Sequence, residues 1–231
     1  MQLITKTPGL LVIRMDANES LANGIRRSIA EVPTLAIEEA EIFKNDSAIY
    51  DEMLAHRLGL IPLKTEKSMN SKTKVEFKLS KTGPCTVYAS DLEDSEKIVE
   101  GKIPITLLRN GHKLELVATA TLGLGINHAK YIPGLCYYRH IVEVVSNSEI
   151  DEIIKNSKGF IKPEKKGSKW ICDLNEGDVE KVLAKHKDAI SDSNELILVI
   201  ESFGQMDAKD IFLKALDALE GNLDEVQKAL K

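Results

Sequence analysis

Cys136 and His140 stand four residues apart, the spacing that on one helix face would set a thiol nucleophile against an imidazole base. They lie in CYYRHIVEVV, however, whose β-branched and aromatic content favours a strand. Four residues along a strand span about 13 Å, so the pair reads as a buried thiol and a surface imidazole. The histidines His56, His112, His128, His140 and His186 show no HxH or HExxH spacing, and nothing gathers the three ligands of a catalytic zinc. Gly123-Leu124-Gly125-Ile126-Asn127-His128 imitates a dinucleotide loop, but His128 replaces the third glycine and no βαβ unit surrounds the run. Lys162, Lys165, Lys166 and Lys169 could meet phosphates, although such a run in an acidic chain reads first as a solvated loop. Asp91, Glu93 and Asp94 are the nearest approach to a two-metal carboxylate cluster, and they fall in a turn. No catalytic residue is therefore expected. The alternative reading is a stand-alone cytosolic metabolic enzyme with a pocket near Cys136 and His128.

The elements that would position these groups follow from periodicity. Residues 9–15 (GLLVIRM) form a short apolar strand, and Leu21, Ile25, Ser28 and Ile29 then step with the period of a helix, with Asn18 or Ser20 available as its cap. Residues 34–43 (TLAIEEAEIF) read as a strand and residues 51–58 as a second helix. Alternation at Val75, Phe77 and Leu79, a strand at 86–90, and Asn110-Gly111 between 103–109 and 113–120 predict a β-rich middle with a tight hairpin. Residues 137–145 add one more strand to that middle. Residues 148–192 form a less regular module, followed by the strand LILVI at 196–200. The last helix starts at Asp207, whose carboxylate could cap it, and carries Phe212, Leu216, Leu219, Leu223, Val226 and Leu230 at heptad spacing. That seam asks for another helix. The order of elements suggests an α+β protein whose two ends make one domain, with the middle inserted into it.

Composition narrows the function classes. The 231 residues are 43% hydrophobic and 29% charged, enough for a chain that buries about 70–75% of its unfolded surface without disulfides or metal. A net charge of −5 weighs against a dedicated nucleic-acid binder. Three scattered cysteines, Cys85, Cys136 and Cys172, offer no disulfide framework and point to a reducing cytosol. No stretch approaches the ~18 apolar residues of a membrane span, so a cytoplasmic protein away from membranes is expected.

Four stretches, in order along nearly the whole chain, carry a family resemblance. Residues 23–29 (NGIRRSI) followed by 32–37 (VPTLAI) resemble the signature of the α-like subunits of cellular RNA polymerases. AHRLGLIPL at 55–63 is similar to the segment opening the inserted domain of the archaeal D-type α-like subunits and of the third-largest subunit of RNA polymerase II. Gly123, Gly125, His128, Ala129, Lys130, Tyr131 and Pro133, with Tyr138 and Arg139 after them, resemble that family's loop beyond the insert. Glu201-Ser202-Phe203-Gly204 and the helix from Ala208 resemble its closing strand and dimerisation helix.

The resemblance implies a non-catalytic assembly platform of DNA-directed RNA polymerase, part of a nucleotidyltransferase complex in transcription. It implies an α-subunit-like dimerisation domain of two helices on an antiparallel sheet, from residues 1–41 and 193–231, an insert at 42–147, and a remnant ferredoxin-like module at 148–192. The partners implied are the smaller α-like subunit L, the small subunits N and P, and the large subunits B and A, with no sequence-specific nucleic acid. The partner-binding residues expected are Ile25, Arg26, Arg27 and Ile29, then His128 and Lys130, then Phe212, Leu216, Leu219, Leu223, Val226 and Leu230. Some relatives hold iron–sulfur clusters in the module. Here it holds only Cys172, so no cofactor is expected.

Overall fold

A computed structural model describes residues 1–230; Lys231, the end of the expected terminal domain, lies outside the described residues. The largest sheet has six strands, in the order β1 (Gln2–Lys6), β2 (Leu10–Asp16), β11 (Ile190–Ser202), β8 (Gly134–Val145), β10 (Lys169–Cys172) and β9 (Glu164–Lys166), all antiparallel. Its central strands are apolar on both faces because both are covered. Leu11, Ile13 and Met15 of β2, with Leu196, Leu198 and Ile200 of β11, face two helices, while Val12, Ile197 and Val199 face the other way.

The helices are α1 (Glu19–Ser28) and α5 (Ala208–Ala229). Asn18 caps α1, its side-chain oxygen accepting from Leu21 N at 2.9 Å, as the sequence suggests. Asp207 makes no such bond at α5; Asp210 instead pairs with Lys67 at 3.1 Å. The opposite face is closed by Ile161 and Phe160 and by a satellite core under α3 (Ser148–Lys155) and α4 (Glu176–Lys185), where Trp170 and Cys172 pack with Ile150, Ile154 and Val182. Asp173, whose side chain is wholly buried, fastens this module. It pairs with Arg139 of β8 at 2.6 Å and accepts from Phe160 N at 2.6 Å.

The middle unit has a separate core. A three-stranded sheet orders β3 (Thr34–Asn45), β7 (Lys113–Gly123) and β4 (Lys74–Thr82), beside the pair β5 (Cys85–Tyr88) and β6 (Pro104–Leu108) and the helix α2 (Asp51–Gly59). Leu54 and Leu58 of α2 are fully buried against Leu35, Ile37, Phe77 and Leu116, each worth about 1.5–3 kcal/mol of burial.

Three expectations are corrected here. Residues 103–120 are not a hairpin: β6 pairs with β5, and β7 pairs with β3 and β4, so Asn110-Gly111 joins two sheets. Only Gly111 takes a positive φ, of 76°, whereas the tight hairpin turn needs two. The strand at 137–145, expected in the inserted unit, is β8 and lies between β11 and β10 in the large sheet. Conversely β3, most of which was expected with the chain's ends, pairs with β7 from Thr34 onward. Burial at its start decides its company: Thr34 to Ile37 are buried in the middle unit's own core or at its margin.

The two units meet along the root of α5, where Lys67 pairs with Asp210 and a backbone joint forms beside it. Thr65 N donates to Gln205 O at 2.8 Å, and Leu35 N donates to the Thr65 hydroxyl at 3.0 Å. Beside it Gly204 takes a φ of 95°, and a side chain there would overlap Val99.

Candidate partner-binding surface

The heptad seam divides. Phe212 is buried with Ile211 and Ala215 against the large sheet, and Leu216 and Leu219 pack at the edge of that core. Leu219 crosses α1 near Gly24. Asn222 donates to Glu31 at 2.8 Å. Beyond that bond Leu223, Val226 and the capping residue Leu230 are 62%, 57% and 83% exposed, where residues 223–229 extend the helix by about 10 Å. Three large apolar side chains on one bare stripe are the kind of surface that partners cover.

Ile25, Ile29 and Phe212, expected among the contact residues, are core residues facing the chain's own sheet and offer no free surface. Helical periodicity identifies the apolar stripe of α1 but not what covers it. Leu21 and Leu213 are further exposed apolar residues of this layer, and sequence reasoning did not single them out as contacts. Leu21 shares the helical period of Ile25 and Ser28 but sits in the first turn of α1, so periodicity gives no signal of its exposure.

Arg26 and Arg27 are exposed at the end of α1. Asn23 accepts from two Arg26 nitrogens at 3.1 and 2.9 Å, which holds that guanidinium along the helix. Arg27 has no side-chain partner among the described residues. Both border a cleft of about 350 Å3 with Ile126 and Leu135, which are 68% and 50% exposed, and Cys136 lies in its wall.

His128 and Lys130 part company. His128 caps a single helical turn, its Nδ1 accepting from Lys130 N at 3.1 Å, and is exposed. Lys130 is turned inward: it pairs with Glu38, which also accepts from the Tyr131 hydroxyl. Those two partners hold the Glu38 carboxyl below its usual range. The Lys130 ammonium is thus paired within the chain.

The chemical alternative finds no support. Burial pushes the Cys136 thiol up to about 12, far from a reactive thiolate. His140, on the same strand, is engaged elsewhere: its Nε2 meets Glu19 at 2.7 Å and its Nδ1 meets Ser193 O at 3.1 Å. Glu19 raises its affinity for the proton. No helix among the described residues is long and apolar enough to cross a membrane.

Comparison with known proteins agrees with this geometry. The RNA polymerase Rpb3/RpoA insert domain family matches residues 40–134, a span that ends where β8 enters the large sheet. The chain is 32% identical over 219 residues to the DNA-directed RNA polymerase subunit Rpo3 of Natronomonas pharaonis, covering 91% of this chain and 89% of that one. It is 34% identical over 222 residues to Rpo3 of Halobacterium salinarum, covering 92% and 89%. To Rpo3 of Methanocaldococcus jannaschii it is 39% identical over 161 residues, covering 65% and 84%.

Proposed function

The chain belongs to the Rpo3 family of DNA-directed RNA polymerase subunits, the D-type α-like subunits of archaea, and from that premise we propose that it is the platform on which the enzyme assembles. It is an RNA polymerase subunit acting in transcription. Its partner on the helical layer is the smaller α-like subunit L, seated along α1 and the projecting end of α5. The small subunits N and P and the large subunits B and A then dock on the pair. Of the two arginines at the end of α1, Arg27 is free to reach a large subunit, where its planar fork suits a carboxylate or backbone carbonyls. The setting is the cytoplasm.

The observation that carries this reading is the bare stripe of Leu223, Val226 and Leu230 beyond the last internal contact of α5. The terminal unit comprises the six-stranded sheet with α1 and α5, the insert runs from β3 to the start of β8, and residues 148–192 add an edge module to the sheet. A ferredoxin-type cluster does not fit that module. Cluster binding generally takes four cysteine thiolates, and Cys172 alone lies there, buried, with its thiol pushed up to about 12 by desolvation. Packing around Trp170 and the Arg139–Asp173 pair hold the module instead.

Co-expression with an α-like partner tests the reading. A soluble 1:1 complex is expected, and Leu223→Asp with Val226→Asp should weaken it by at least about a hundredfold, since each places a charge in an apolar contact. A stable, monodisperse monomer with no affinity for that partner would overturn it.

A further inference from the structure

The insert carries a second unpartnered surface, distant in composition and charge from α5. The inner face of α2 is sealed by Leu54 and Leu58, yet Tyr50, Met53 and Leu60 are 81%, 55% and 55% exposed. At 100° per residue these three and Arg57 fall within one arc of about 80°, so they form a single stripe. Between α2 and β6 lies a cleft of about 510 Å3, the size of a ligand or side-chain pocket. Its lining includes Ile49, Arg57, Leu107, Arg109, His112 and Asp46, with Leu107 60% exposed at its edge.

The charges of the cleft select what could enter. Asp46, its one carboxylate, accepts from Lys113 N at 2.9 Å and pairs with Lys44 at 3.5 Å, which lowers its proton affinity and occupies it. Arg57 is held by the backbone: its Nε donates to Ile105 O at 2.8 Å and one terminal nitrogen donates to Pro104 O at 2.6 Å. Its other terminal nitrogen has no partner among the described residues. Arg109 is exposed and has none either. A chain of net charge −5 thus presents here one guanidinium held in place, Arg57, and one without a side-chain partner among the described residues, Arg109, next to bare aromatic and aliphatic carbon.

We propose that this α2–β6 face binds a segment of another polypeptide that presents carboxylates beside an apolar side chain. The apolar group would enter against Ile49 and Leu107, and the carboxylates would meet Arg57 and Arg109. An immobilised guanidinium loses little freedom on pairing, and its fork geometry matches a carboxylate. The exposed Tyr50, Met53 and Leu107 favour a polypeptide over a phosphate backbone, which would leave them uncovered. The proposal rests on the platform reading only in requiring further chains to pack on this one, and its surface is separate from the α5 stripe.

The test uses the full chain assembled into the polymerase, with a benzophenone amino acid in place of Leu107. Irradiation should yield a cross-link to a polypeptide segment bearing aspartate or glutamate next to an apolar residue. Arg109→Glu should cut that yield about tenfold and Arg109→Lys should largely keep it, since charge pairing sets the contact. Arg109 has no internal partner, so neither change threatens folding. A cross-link to a basic segment or to nucleic acid would overturn the proposal, as would none at all. In every case the α-like partner should remain bound through α5; its absence from the unsubstituted complex would count against the platform reading instead.

Discussion

The insert and the terminal unit solve the same problem differently. In the insert, three strands, a strand pair and α2 close around Phe77, Leu116 and their neighbours, and the core is complete within the chain. The terminal unit covers both faces of its sheet, then lets α5 run on past Asn222 with its apolar stripe uncovered. Equally apolar residues therefore have unequal work. Those in the insert stabilise the chain, and those at the end of α5 stay exposed and add little to it.

Substitutions at matched apolar positions would break that contrast most visibly. Phe77→Ala, in the fully buried site, should destabilise the isolated chain by about 3–5 kcal/mol. Val226→Ala should change its stability by no more than about 0.5 kcal/mol. Denaturant unfolding compares the two directly, and a large loss from Val226→Ala would mean that the stripe is already covered within the chain. Next in size is the fastening of the edge module. Asp173→Ala strands Arg139 and removes the acceptor of Phe160 N, for an expected cost of about 2–4 kcal/mol. Faster amide exchange at residues 156–163, with the insert unchanged, would identify the loss as local.

The smallest effect is pH-dependent and lies where α1 meets the sheet. With acceptors at both ring nitrogens, His140 is served best as an imidazolium, and its proton affinity is raised, chiefly by Glu19, with Ser193 O and Asp192 adding to it. A raised folded-state pKa means that the contribution is fully present below the unfolded value of about 6.5 and fades as pH rises through the folded one. His140→Gln should therefore cost under about 1 kcal/mol at pH 5.5 and nearly nothing at pH 9, because the pair is partly solvated. An equal cost at both pH values would refute the charge-based account.

Much of this is legible in the residues. Helical period places α1 and α5, the sequence offers Asn18 or Ser20 as a cap of which the structure uses Asn18, and the heptad seam marks the apolar stripe of α5. What escapes is every feature set by contacts distant in sequence. Asn110-Gly111 looks the same whether the flanking strands pair with each other or with β5, β3 and β4, because the difference lies in what buries Leu108 and Leu114. The strand β8 likewise has the alternation of any strand, and only the company of β11 assigns it to the large sheet. Lys130 reads as a surface cation until Glu38, far away along the chain, takes it up.

The joint at Gly204 has a mechanical meaning. Because Gln205 is hydrogen-bonded to Thr65, Asp210 pairs with Lys67 and position 204 has no room for even one carbon beside Val99, the root of α5 and the insert behave like two arms of a bracket fastened at several neighbouring points. The direction of α5 thereby fixes the direction in which the insert's surface faces.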